Sequence, residues 1–95
     1  MAKTSNKKQK VTKTEFSLLA PSAQSVFLSG DFNQWDLSST PLRRDKNGMW
    51  KMSLNLYPGQ YEYRFFVDGE WQNDPSCCDF VDNPFGTSNC LKIVE

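Results

Sequence analysis

The sequence predicts an all-β fold, a β-sandwich of about seven short strands, on three observations. Apolar and polar residues alternate at period two in several stretches, turn signals recur at the spacing of a sandwich, and no helical pattern outlasts a single turn. The first strand starts near Thr12, where Phe16 and Leu18 alternate with Glu15 and Ser17, and Pro21 ends it. Ser25 to Ser29 is the second, with Val26 and Leu28 on one face. The following Ser29-Gly30-Asp31-Phe32-Asn33-Gln34-Trp35 has no period: Gly30 lets the chain leave the strand sharply, and Asp31 and Asn33 are turn formers through their short side chains. Phe32 is expected to enter the core, leaving Trp35 on the far side of the turn.

Pro41 to Arg44 is a short strand, and Asp45-Lys46-Asn47-Gly48 turns it into the next, whose inner face is Trp50, Met52, Leu54 and Leu56. Tyr57-Pro58-Gly59-Gln60 has the chemistry of a type II turn, with proline at its second position and glycine at its third. The strongest strand follows: Tyr61, Tyr63, Phe65 and Val67 share one face, Glu62, Arg64, Phe66 and Asp68 the other. Asp68-Gly69 signals a tight hairpin, Glu70-Trp71-Gln72 returns from it, and Asn73-Asp74-Pro75 breaks the return strand. Ser76 to Thr87 is expected to be one long irregular loop. Leu91, Ile93 and Val94 close the chain as a last strand.

Ninety-five residues suffice for one domain with a modest core. The eleven basic and eleven acidic side chains cancel, yet Lys3, Lys7, Lys8, Lys10 and Lys13 all fall in residues 1–13, which contain no acid. This stretch is expected to be a basic, disordered tail, and residues 14–95 the folded module. Without arginine, aromatics or glycine spacing the tail is a poor nucleic-acid arm. No apolar run has the length of a signal sequence or a membrane span, so no membrane partner is expected and a cytoplasmic placement is the expectation.

Three cysteines (Cys77, Cys78 and Cys90), two of them adjacent and none in a CxxC pair, read as free thiols. The chain has no histidine, which removes the usual zinc ligand and general base, so no metal, cofactor or catalytic residue is expected. The acids Asp68, Glu70, Asp74, Asp79 and Asp82 read as solvated turn residues rather than a glycosidase pair.

Binding is better supported. Trp35, Trp71 and Phe85 offer aromatic surface, and Arg64, Thr87 and Asn89 offer hydrogen-bonding groups, a combination suited to the apolar face and hydroxyl edge of a sugar ring. On composition alone the two tryptophans are equally readable as core anchors, with Phe85 plugging one end of the sandwich.

Four segments in order, Val26 to Trp35, Tyr61 to Trp71, Asn73-Asp74-Pro75 and Phe85-Gly86-Thr87-Ser88-Asn89, resemble the family 48 carbohydrate-binding modules. These include the glycogen-binding domain of the AMP-activated protein kinase β subunit and the N-terminal domains of isoamylases and branching enzymes. The resemblance spans roughly residues 14–95. It implies an immunoglobulin-like, early-set β-sandwich that binds α-1,4-linked glucan without catalysis, with glycogen, maltooligosaccharides and cyclodextrin as ligands. By that resemblance Trp35 and Trp71 stack on glucose rings, Arg64 stands where the kinase-type members have lysine, Phe85 where they have leucine, and Thr87 and Asn89 hydrogen-bond the sugar. The hydrolase, branching and kinase roles of larger relatives are not expected to transfer. The rival expectation is a protein-interaction domain of the same fold, with an unidentified partner and vestigial sugar binding.

Overall fold

The computed structural model describes residues 10–77 and 79–95. Most of the expected tail, residues 1–9, and Cys78 lie outside the described residues. Eight strands follow one another: β1 (Thr12–Leu19), β2 (Val26–Gly30), β3 (Arg43–Arg44), β4 (Met49–Leu56), β5 (Gly59–Val67), β6 (Glu70–Gln72), β7 (Phe80–Asp82) and β8 (Ser88–Val94). A 3-10 turn, Asp31–Asn33, comes after β2. Strand β1 begins two residues before the boundary drawn at 14, because Thr12 pairs with Leu56 and Lys13 with Asn55.

Two antiparallel sheets face each other as a β-sandwich. One has the order β1-β4-β3, the other β2-β5-β8-β7. Strand β5 is the spine of the second sheet: β2 runs along one edge, and β6 and β8 succeed each other along the opposite edge. The period-two pattern decides which side chains meet. Phe16 and Leu18 of β1 and Trp50 and Leu56 of β4 are buried against Val26 and Leu28 of β2, Tyr63 and Phe65 of β5, and Val94 of β8. The Phe16 ring meets Tyr63 edge-on across the sandwich, with centroids 5.1 Å apart. Burial of each large apolar side chain contributes about 1.5–3 kcal/mol. Trp50 is a core tryptophan, its indole N–H donating to Ala20 O at 2.8 Å.

Several local expectations change. Tyr57 to Gln60 closes no hairpin: β4 and β5 belong to different sheets, and Gly59, at φ 158°, opens β5 rather than sitting in a type II turn. The Asp68-Gly69 hairpin does form, both residues at positive φ as a type I′ turn requires, and Asp68 Oδ1 accepts the N–H groups of Gln24 and Ser25. The Ser76–Thr87 loop contains a strand, β7, which pairs Phe80 with Cys90, Val81 with Asn89 and Asp82 with Ser88. Three edge residues, two of them exposed, carry no alternation to find.

Asp74 is not a solvated acid. It is 7% exposed, accepts the Tyr63 hydroxyl at 2.8 Å on one oxygen and Ser76 on the other, and so replaces the hydration it loses with hydrogen bonds. Cys77 and Cys90 are free thiols. Cys90 is fully buried, its sulfur 3.3 Å from the Asp74 N–H, and burial pushes its thiol up to about 12. Burial, reinforced by the Asp74 carboxylate, likewise raises Tyr63.

Both groups fold in their protonated forms, so their stabilisation is complete below the unfolded-chain values, about 9 for a cysteine and 10 for a tyrosine, and is lost as pH rises above them. The melting temperature is therefore expected to fall steadily above about pH 9. Native protein at pH 8 should be alkylated by iodoacetamide at Cys77 and not at Cys90; mass spectrometry showing equal labelling would refute the buried, protonated thiol.

Candidate functional site

The outward face of the β5 sheet carries a groove of about 710 Å³. All six residues expected from the sequence, Trp35, Arg64, Trp71, Phe85, Thr87 and Asn89, line it. Glu62, Asp82, Asn83 and Pro84 complete the lining and were not among them.

Trp35 arrives through a tightly tied loop. Asn33 Oδ1 accepts the Gly30 N–H at 3.0 Å, and its amide nitrogen donates to Leu28 O and Thr40 Oγ1. Gly30 itself is extended (φ −176°), so it is not where the chain turns. The turn comes at Gln34 and Trp35, consecutive residues in the left-handed region at φ 55° and 58°, with the Trp35 N–H closed onto Gly30 O at 2.9 Å. Just beyond, Asp36 accepts the N–H groups of Ser38 and Ser39, and the Ser38 bond foremost holds its carboxyl below the usual carboxylate range.

Trp71 pairs across the β5–β6 hairpin with Phe66, whose ring lies edge-on to the indole at 5.2 Å. It is 43% exposed. Phe32 packs only partly into the core, against Phe16 at 5.5 Å, and Trp35, on the far side of the turn, lines the groove. The Trp35 and Trp71 centroids lie 6.2 Å apart with their planes at 64°. The two rings thus form a bent wall, not a flat shelf.

The polar side is a connected network. The Arg64 guanidinium lies over the Trp71 ring, 5.5 Å from its centroid; its Nε donates to Asn73 Oδ1 at 2.7 Å and its Nη1 to Thr87 Oγ1 at 3.4 Å. Asn73 is in turn fixed to Ser88 O. Arg64 is therefore held by stacking and hydrogen bonds before any ligand arrives, which a point-charge ammonium would not reproduce.

Asn89, 7% exposed, donates to Glu62 Oε1 at 3.0 Å and accepts from Asn83 Nδ2 at 3.0 Å. Asn83 also organises the β7–β8 hairpin: its Oδ1 accepts the N–H groups of Phe85 and Thr87, and its backbone N–H donates to Thr87 O. That loop holds Phe85 out at 87% exposure. Its ring stands on the rim rather than filling the groove or plugging an end of the sandwich. Asn83 lies in the polar stretch beside Phe85, and alternation puts Glu62 on the Arg64 face, but their partners are not visible in sequence: the Asn83 contacts depend on β7 pairing with β8, and the Glu62 contact on the β5–β8 register.

Chemically, the groove offers aromatic faces, a cation and amides to a neutral, hydroxyl-rich ligand. Among the described residues no cluster of three or more metal-ligating side chains occurs, and no helix is long and apolar enough to cross a membrane.

A family model described as the glycogen recognition site of AMP-activated protein kinase matches residues 12–95. The chain is 40% identical over 82 residues to Protein FLOURY ENDOSPERM 6, chloroplastic, of Oryza sativa subsp. japonica, covering 86% of this chain and 15% of that protein. It is 44% identical over 70 residues to 5'-AMP-activated protein kinase subunit beta-1 of Homo sapiens, covering 74% and 24% respectively. It is also 44% identical over 54 residues to Protein PTST homolog 2, chloroplastic, of Arabidopsis thaliana, covering 57% and 10%. The chain spans a quarter or less of the length of each of these three relatives.

Proposed function

The chain belongs to the glycogen-recognition family of AMP-activated protein kinase and is a carbohydrate-binding module, and from that membership we propose that its groove binds α-1,4-linked glucan chains without turning them over. Trp35 and Trp71 stack on successive glucose rings, Arg64, Thr87 and Asn89 address the hydroxyl edge, and Phe85 forms an apolar rim.

The observation that supports this reading is the 64° angle between the two indole planes. A β-1,4-linked glucan is a flat ribbon whose rings cannot lie face-down on two walls so inclined. An α-1,4-linked chain curls, turning each ring relative to the last, and suits a bent wall. The shallow, open groove and the wet hydroxyl edge of the ligand favour affinity in the micromolar to millimolar range, about −8 to −4 kcal/mol. The free Cys77 and Cys90 suit a reducing compartment such as the cytoplasm.

The test is intrinsic tryptophan fluorescence on titration with β-cyclodextrin, a closed ring of α-1,4-linked glucose, beside cellohexaose, its flat β-1,4 counterpart. A saturable change with the first and none with the second is expected. No response to either, in folded protein, would advance the protein-interaction reading. Release of reducing ends from maltoheptaose would overturn the non-catalytic one.

A further inference from the structure

We infer that Asp31 is the positioning residue of the groove, a carboxylate that ties the Trp35 ring to strand β5 and keeps its face toward the ligand space. Its consequence for affinity rests on the glucan reading above; its action on the ring does not.

Strand β2 pairs with β5 as far as Gly30 opposite Tyr63. One residue further along β5, β2 has turned away and the Glu62 N–H has no strand partner on that side. Asp31 Oδ2 accepts it at 2.8 Å, standing in for the missing backbone carbonyl. The other oxygen, Oδ1, accepts the Trp35 indole N–H at 3.2 Å. One rigid carboxylate thus bridges the spine of the sheet and the ring four residues downstream. Its attachment continues inward, because the Glu62 side chain accepts from Asn89, and Asn89 from Asn83.

The ring needs such a hold. Gln34 and Trp35 both occupy the left-handed region, which residues bearing a side chain adopt only when their surroundings impose it. A tryptophan free to swing would have to be immobilised by the sugar at the expense of affinity; one already fixed is not. Asp31 is not among the groove-lining residues, so its part is to orient the ring and not to touch the glucan.

The test uses 1H–15N spectra of the ligand-free full chain, with the Trp35 indole signal identified by its loss in Trp35→Ala. In Asp31→Ala that signal is expected to move upfield and exchange faster with water, while the indole signal of Trp50, a core ring held on Ala20 O, keeps its place. β-Cyclodextrin affinity should fall about tenfold, the scale of one hydrogen bond to a charged group. Asp31→Asn, which retains one acceptor oxygen, should fall between and guards against a variant that fails to fold. An unmoved Trp35 indole signal overturns the inference, even if affinity drops. If wild type binds no cyclodextrin, the glucan reading fails alone, and the indole signal still decides whether Asp31 holds the ring.

Discussion

Trp35→Ala is expected to weaken β-cyclodextrin binding at least about thirtyfold, equivalent to about 2 kcal/mol, the size of a binding hot spot. The indole is one half of the bent wall, and its loop neighbours on either side, Gln34 and Asp36, are exposed polar residues that offer no replacement surface. Trp71→Ala should cost as much or more, since it also removes the ring under the Arg64 guanidinium and the edge-on partner of Phe66. The double variant should lose less than the sum of the two, because rings 6.2 Å apart share one ligand surface and each loses its function when the other is gone. Isothermal titration calorimetry at fixed salt measures all three. If both single variants, shown folded by near-UV circular dichroism, bound within about threefold of wild type, the stacking role would be wrong and the groove would have to act through its polar side alone.

How much of this was legible in the sequence depended on whether a signal was local. The faces of β1, β4 and β5 follow from alternation, and the Asp68-Gly69 hairpin follows from residues that accept positive φ. The six expected residues are picked out by chemical type, and the fold gathers them into one groove. Non-local relations were not legible. Proline and glycine at residues 58 and 59 look the same whether the chain makes a hairpin or crosses between sheets, and only the pairing of β4 with β1 and of β5 with β2 decides it. Asp74 resembles its acidic neighbours in sequence, yet the Tyr63 hydroxyl eleven residues earlier draws it into the interior. Asn83 is a plain turn asparagine until β7 pairs, after which it carries the polar side of the groove. Short edge strands and side-chain networks are set by tertiary context, which no window of sequence contains.

Gly30→Ala is expected to destabilise the fold by about 2–3 kcal/mol, an overpacking penalty, and to lower the melting temperature by roughly 10–20 °C in a domain of this size. The reason is contact rather than backbone freedom, since Gly30 is extended and any residue adopts that conformation. A Cβ there would stand 2.5 Å from Glu62 O, 2.8 Å from Phe32 Cζ and 2.9 Å from Tyr63 Cβ. Two of those three atoms belong to or are anchored on the spine strand β5, so the strain has no flexible side chain to absorb it and must push β2 away from β5. The site would move with it, because Gly30 O receives the Trp35 N–H and the Gly30 N–H is held by Asn33; glucan affinity should fall together with stability. Gly86→Ala is the control. Its φ of 84° disfavours a side chain, but nothing lies within 4 Å of the added carbon, so only the left-handed penalty of about 1–2 kcal/mol remains. Thermal melts of the two variants side by side separate the mechanisms. A Gly30→Ala protein that melts within about 2 °C of wild type would show that β2 and β5 can part without cost, and the rigid mounting of the Trp35 loop would no longer stand.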